Sequence, residues 1–264
     1  MENKTIYILW TSGWDSTYRM VELSRMENVT VQPVYITGIG RKSEQREIRA
    51  QNEILEALSE KPETKATILP VKYVNEKDIP IDDKITKAYD EIRKTIALGG
   101  QYNILSQYAA ICPGIEIGSE GGEEGTMRMT ESIRLGGGLV KSGDTYILDP
   151  EKATETGKLA FGNFSFPIID KAEAAMLKNI KDWGYEDVMS HIWFCHTPMK
   201  NGRQCGVCRA CEVKMLNHME WLLPKDAQRR FKVKRFFWKL FGIRIANGIC
   251  RRLYQRELLK EDKK

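Results

Sequence analysis

The sequence predicts an α/β fold built on a parallel sheet, followed by a metal-binding C-terminal segment and a basic helical tail. Three observations carry this. Strand-like and helix-like periodicities alternate through the first two thirds of the chain, in the βαβαβαβ order of parallel strands joined by crossover helices. Four of the six cysteines, Cys195, Cys205, Cys208 and Cys211, fall within 17 residues. The charge also changes sign along the chain. Residues 225–264 hold 14 Lys+Arg against 4 Asp+Glu, a net of +10, and the rest carries a net of −5.

Residues 5–10 (TIYILW) are a short β-branched and aromatic run, the signature of a buried strand. Residues 11–15 are small and polar, a tight loop, and 16–26 follow as a helix with Met20, Leu23 and Met26 on one apolar stripe. Residues 30–37 (TVQPVYIT) are a second strand. Residues 43–59 form a long polar helix with Ile48, Ile54, Leu55 and Leu58 facing inward. Residues 66–74 read as a third strand in which Pro70 favours an edge or an end, because proline cannot donate to a ladder. Helices are expected over 82–98 and 102–110, and a short fourth strand over 114–118 (GIEIG). Residues 119–143, rich in Gly, Glu and Ser, read as a long loop holding at most a short helix. Further strands are expected over 145–148 and 164–169. Asp170 then reads as an N-cap whose capping box is closed by Glu173, with Gly184 stopping the helix. Residues 192–211 are loops carrying the cysteines, 209–223 are helical, and the tail follows Pro224.

With 42% hydrophobic and 29% charged residues over 264 positions, the chain can bury a core without disulfide staples. No stretch nears the roughly 18 apolar residues of a membrane span, and the start lacks a signal-peptide pattern. The expectation is a cytoplasmic enzyme or binding protein. Clustered rather than dispersed cysteines point to a metal site in a reducing compartment, not to a secreted disulfide framework.

The loop after the first strand reads Thr11-Ser12-Gly13-Trp14-Asp15-Ser16-Thr17. A strand, a loop of glycine and hydroxyl residues, and a helix N-terminus together suit an anion. The first-turn N–H groups lack intrahelical partners, and the helix dipole is positive there. No Walker A pattern is present. The loop resembles the PP-loop, SGGxDS, of the N-type ATP pyrophosphatases: Thr11 stands for the first Ser, Ser12 for the first Gly, Gly13 for the second, and Asp15-Ser16 match outright. The plain alternative is a βα turn with Asp15 or Ser16 as N-cap.

The spacing Cys195-x9-Cys205-x2-Cys208-x2-Cys211 supplies four thiolates, which suits tetrahedral zinc and leaves no open coordination position. The site therefore reads as structural, with an iron–sulfur cluster as the alternative and His196 as the nearest rival ligand. Trp193-Phe194-Cys195 with Cys205-Gly206-Val207-Cys208-Arg209-Ala210-Cys211, placed behind a PP-loop, is similar to the 7-cyano-7-deazaguanine synthase (QueC) family. Residues 167–173 (PIIDKAE) and 115–118 (IEIG) resemble further segments of that family, so the likeness runs from about residue 5 to 215.

That resemblance implies a three-layer α/β/α fold of the adenine nucleotide alpha hydrolase type. It implies a PP-loop ATP-binding domain over 1–190 and a zinc-binding segment and helix over 191–224; the basic amphipathic tail over 225–264 lies beyond the likeness and is read from its charge and apolar spacing. It implies an ATP-dependent carbon–nitrogen ligase that adenylates a small-molecule carboxylate, releases pyrophosphate and passes the acyl group to ammonia, with ATP, magnesium and zinc as cofactors. In that scheme Thr11, Ser12, Gly13, Ser16 and Thr17 cradle phosphates. Trp14 packs or stacks on a ring, Asp15 caps the helix or helps hold magnesium, and Lys171 neutralises phosphate. Arg41, Lys42 and Arg46 contact substrate or lie on a solvated face. The family's Asp-rich substrate loop is replaced here by residues 119–125 (SEGGEEG), so the acceptor is a deazaguanine-type acid or another carboxylate. Two other readings stand beside it: a PP-loop tRNA-modifying enzyme of thiolation type, and a nucleotide-binding scaffold without catalysis.

In the tail, Val233, Phe237, Leu240 and Phe241, then Ile245, Ile249, Leu253 and Leu258, recur at helical spacing, with Arg251, Arg252 and Arg256 between the later ones. The pattern suits an anionic membrane, a nucleic acid, or packing against the body, a protein partner or a second copy in a homodimer. The Ile245–Ile249–Leu253 stripe favours packing, since it would otherwise be exposed.

Overall fold

In a computed structural model of the chain, residues 3–41, 43–121 and 128–254 are described. The positions Lys42, Gly122–Gly125, Arg256 and Leu258 singled out above lie outside them. The chain opens on β1 (Lys4–Leu9), enters α1 (Trp14–Ser24), and returns as β2 (Val29–Thr37), which pairs parallel to β1 from Lys4↔Val29 to Leu9↔Val34. After α2 (Glu44–Ser59), β3 (Thr67–Ile68) and β4 (Lys72–Asn75) each pair parallel with β2. The single strand expected over 66–74 is thus two, and the break holds Pro70, which lacks the N–H a continuous ladder requires.

Helices α3 (Asp83–Thr95) and α4 (Gln101–Ile111) follow, then β5 (Ile115–Ile117), which pairs parallel with β1 on the side away from β2. The Asp82 side chain caps α3, accepting from the Lys84 N–H at 2.7 Å. The region expected to be a long loop contains α5 (Arg128–Leu135) and an antiparallel hairpin of β6 (Leu139–Ser142) and β7 (Thr145–Leu148), off the main sheet. Next come α6 (Glu155–Phe161) and β8 (Phe164–Ser165), which pairs with β5. The sheet order is β3-β2-β1-β5-β8.

Helices pack on both faces of this sheet. One core joins Ile6, Ile8 and Trp10 to Tyr18 and Leu23 of α1 and to Ile54 and Leu58 of α2. The other joins Leu9, Val34 and Ile36 to Tyr89, Tyr108 and Phe161 from the helices across the sheet. The chain runs from β1 to β2 on one side and later crosses to β5 on the other. The carboxyl end of β1 is therefore the topological switch point, where ligand crevices form in open α/β sheets.

Helix α7 (Glu173–Trp183) ends at Gly184 in the left-handed conformation (φ 72°), as expected, but it does not begin as expected. Its N-cap is Ala172 with no side-chain cap. Asp170 instead accepts from the Tyr146 hydroxyl at 3.1 Å, and Glu173 turns to Lys214 and Asn217. Tertiary partners have displaced the local capping box. After α8 (Glu186–Met189) and the cysteine loops come α9 (Arg209–Leu216), a 3₁₀ turn at Glu220–Leu222, α10 (Lys225–Phe241) and α11 (Ile243–Tyr254). Ala227, Phe231 and Lys234 of α10 are buried. Helix α11 turns Ala246 and Cys250 inward, small side chains that permit close helix approach. The Ile245–Ile249–Leu253 stripe is not the packed one: Ile245 and Leu253 are 53% and 56% exposed.

Candidate functional site

Beyond β1 the backbone turns sharply into α1. Ser12 adopts φ 55°, the left-handed region that favours glycine. Its hydroxyl donates to the Thr11 carbonyl at 2.6 Å, and its own carbonyl accepts from the Trp193 N–H at 3.0 Å. The Trp10 carbonyl is held by Gln51 Nε2 at 2.7 Å. The N-cap of α1 is Gly13, which offers no side-chain acceptor, so among the described residues no side chain caps the first turn, the kind of helix start that suits an anion. Gly118, just past β5, lies so close to this turn that a Cβ there would stand 2.7 Å from the Ser16 Cα.

A cavity of about 550 Å³ opens at this point, within the usual size of a small-molecule site. Thr11, Gly13, Trp14, Asp15 and Ser16 line it. Ser12 and Thr17, expected to cradle phosphate, are fully buried behind that wall. The Thr17 hydroxyl is taken by the Trp10 indole N–H at 3.0 Å, because a buried indole requires an acceptor. Lys171 is also displaced from its expected role. It lies outside the cavity wall, with its ammonium 3.6 Å from Glu22 and 3.5 Å from the Pro167 carbonyl. Arg41 reaches the wall but is engaged by Glu47 at 2.9 Å and by Gln101. Arg46 bonds the Gly202 carbonyl at 3.4 Å and lies 5.6 Å from the Trp193 ring centroid.

Lys214 of α9 also lines the cavity. It is buried, ion-paired with Glu173, and 4.8 Å from the Trp14 ring centroid. Burial pulls its ammonium down to about 8, against the opposing pull of Asp15 and Glu120. Asp15 is pushed up to about 7, by burial first and by the Glu120 carboxylate second. Burial raises Glu120 as well, and its Oε2 is buried with no hydrogen-bond partner among the described residues. The Trp14 indole nitrogen is likewise unpartnered. Two mutually opposed carboxyls with an unsatisfied oxygen fit a divalent cation bound among oxygen ligands. Sequence reasoning had passed over Lys214 and assigned Glu173 to a cap. The available signal was position: Lys214 is three residues after Cys211 on one helix, hence on the same face.

The Sγ atoms of Cys195, Cys205, Cys208 and Cys211 all lie within 4.8 Å of one another, a cluster with the spacing to hold a metal ion. Cys205–Cys211 and Cys195–Cys208 are each separated by 4.0 Å, close to the ~3.8 Å edge of a tetrahedron with zinc–sulfur bonds of ~2.3 Å. The Cys205 Sγ accepts from the N–H groups of Val207 (3.3 Å) and Cys208 (3.2 Å). Hydrogen bonding within the cluster drives the thiols apart: Cys205 and Cys208 fall below the ordinary thiol range, and Cys195 and Cys211 rise above it. A bound cation removes that conflict by favouring thiolate at all four. His196 lines the cavity instead of joining the cluster.

Helix α10 closes the back of the cysteine loop. Arg230 Nε donates to the Cys205 carbonyl at 2.8 Å, Lys234 Nζ donates to the Val207 carbonyl at 2.7 Å, and Lys234 also pairs with buried Glu212. Gly206, at φ 75°, permits the approach, because a Cβ there would stand 2.1 Å from the Ala227 carbonyl oxygen. No protein-family model matches the chain, and no curated protein matches it. The functional reading therefore rests on the site itself.

Proposed function

We propose that the chain is a QueC-like, ATP-dependent carbon–nitrogen ligase that adenylates a carboxylate and transfers the acyl group to ammonia. One observation carries this. At the switch point beyond β1, an uncapped helix N-terminus, a buried lysine and an opposed pair of carboxyls face one cavity. ATP laid there has its phosphates against the first-turn N–H groups of α1, the Ser16 hydroxyl and Lys214. Asp15 and Glu120 are the residues to hold magnesium, which when bound offsets the charge of the polyphosphate. Tyr102, Trp193 and Phe194, which also line the cavity, offer flat apolar surface for a base or a ring-bearing acid.

In this reading an oxygen of the substrate carboxylate attacks the α-phosphorus. A new P–O bond forms while the bond from the α-phosphorus to the β-bridging oxygen breaks, and pyrophosphate leaves with that electron pair. Ammonia then adds to the acyl carbon, loses a proton, and expels AMP to give an amide. With a deazaguanine-type acid, a second ATP adenylates the amide oxygen with loss of pyrophosphate, and departure of AMP with that oxygen and loss of the two N–H protons give a nitrile. No side chain acts as a nucleophile. The chain orients two reactants and stabilises the departing charge. The cysteine cluster, with all four thiols drawn together, supports a structural metal over persulfide chemistry of the thiolation type.

The test is AMP and pyrophosphate formation from ATP over a set of carboxylates, with and without ammonia. The reading expects equal amounts of both products, dependent on one acid. Formation of ADP and phosphate would overturn it.

A further inference from the structure

The α10–α11 hairpin carries a surface that the ligase reading does not use. Its first half is committed to the cysteine loop through Ala227, Arg230 and Lys234. The second half is not. Phe236, Leu240 and Phe241 of α10 are 60%, 57% and 53% exposed, and Ile245 and Leu253 of α11 are similarly exposed. The aromatic part forms one patch: Phe236 meets Phe237 edge-on at 5.6 Å, and Phe237 stacks on Phe241 at 6.4 Å. Five large apolar side chains on one short hairpin exceed the scattered exposure normal for a protein surface.

The exposed charge of the hairpin itself is of one sign. Between residues 227 and 254 the sequence holds no Asp or Glu. Lys232, Arg235, Lys239, Arg244, Arg251 and Arg252 are all exposed. Arg235 and Lys239 also flank Trp238 in a shallow depression of about 250 Å³.

We propose that this hairpin binds the surface of an anionic lipid bilayer, with its apolar residues in the headgroup–acyl boundary and its Lys and Arg against lipid phosphates. Charge complementarity and composition select this occupant. A polynucleotide would satisfy the cations but would leave Leu240, Ile245 and Leu253 in water. Protein interfaces are depleted of lysine at their cores and gain from mixed charge. A helical surface combining Phe, Trp, Leu and Ile with Lys and Arg and without acidic residues is the composition of interfacial helices. Among the described residues no helix is long and apolar enough to cross a membrane, so the hairpin lies on the bilayer.

The experiment is co-sedimentation of the full chain with phosphatidylcholine vesicles and with vesicles containing about 30% phosphatidylglycerol. Binding should be at least tenfold stronger to the anionic vesicles. It should fall at least tenfold in a Phe236→Ser/Phe241→Ser/Leu253→Ser variant that keeps its metal content and circular dichroism. A Lys239→Gln/Arg244→Gln/Arg251→Gln variant should lose the preference for anionic lipid. The proposal is overturned by equal binding to both vesicle types, by an apolar variant that binds like the parent, or by tighter binding to single-stranded RNA that the apolar variant retains. It is also overturned if the parent dimerises without vesicles and the apolar variant does not.

Discussion

The ammonium of Lys214 stands 4.8 Å from the centre of the Trp14 ring, joining the helix that leaves the cysteine cluster to the loop that leaves the first strand. A second tie lies beside it, the Trp193 N–H donating to the Ser12 carbonyl at 3.0 Å. Residues about 200 positions apart in sequence thus build one wall, and the cysteine segment is part of the cavity's architecture. Replacing Lys214 by Ala should weaken magnesium–ATP binding about tenfold to hundredfold, the range of one lost charge-assisted hydrogen bond. Titration calorimetry measures this. Lys214→Arg, which keeps the charge, should recover part of the loss.

Metal removal should act on the nucleotide site. Cys211 and Lys214 lie one turn apart on α9, so a chelator that empties the cluster should lower both the melting temperature and ATP affinity together. Metal analysis of protein purified without added metal should give one zinc per chain. An iron chromophore would assign the cluster differently.

Gly118→Ala probes the closeness of the two elements at the switch point. The new Cβ would meet the Ser16 backbone at 2.7 and 2.8 Å, and backbone cannot yield as a flexible side-chain tip can. A cost of about 1–3 kcal/mol is expected, read as a lower denaturant midpoint together with weaker ATP binding.

The acidity of Asp15 makes a signed prediction for the empty protein. Its folded value, near 7, exceeds the unfolded value of 3.8, because burial and Glu120 oppose ionisation. Between those values the native state holds more protons than the unfolded state, so this group's contribution to stability falls as pH rises from about 4 to about 7. Asp15→Asn should therefore be more stable than the parent at pH 8, by about 1 kcal/mol or more, roughly 2–4 °C in melting temperature. The difference should vanish toward pH 4.

Truncation after Pro224 should not yield a silent adaptor deletion. It strips Arg230 and Lys234 from the Cys205 and Val207 carbonyls and leaves Glu212 buried without its cation. The loss of a buried ion-pair partner costs about 3–5 kcal/mol, so the truncated chain should melt lower and hold its metal less tightly.

Much of the fold was legible because it is written locally. The TIYILW run, the helical stripes and the left-handed Gly184 each follow from neighbours in sequence, and the cysteine cluster follows from spacing. The misreadings share a cause. The Asp170–Glu173 pattern has the form of a capping box, but Tyr146, Lys214 and Asn217, remote in sequence, take those carboxylates. Thr17 sits in a motif that suggests phosphate, but the Trp10 indole claims it. No motif in the sequence marks Lys214, whereas Lys171 stands in a segment that the family resemblance singles out. Only the packing of α9 against the β1–α1 loop places one in the cavity and the other beside Glu22. Pro70, read as favouring an edge or an end, falls in the break between the end of β3 and the start of β4.

The most direct test of the account is the magnesium–ATP affinity of Asp15→Ala and Ser16→Ala beside the parent, measured by calorimetry. Both residues line the cavity at the uncapped start of α1. The account predicts that the parent binds and that both variants lose binding at least a hundredfold, while their melting temperatures in the absence of nucleotide are not lowered by more than about 1 kcal/mol of stability would allow. Unchanged affinity in either variant, or no binding by the parent, would contradict it.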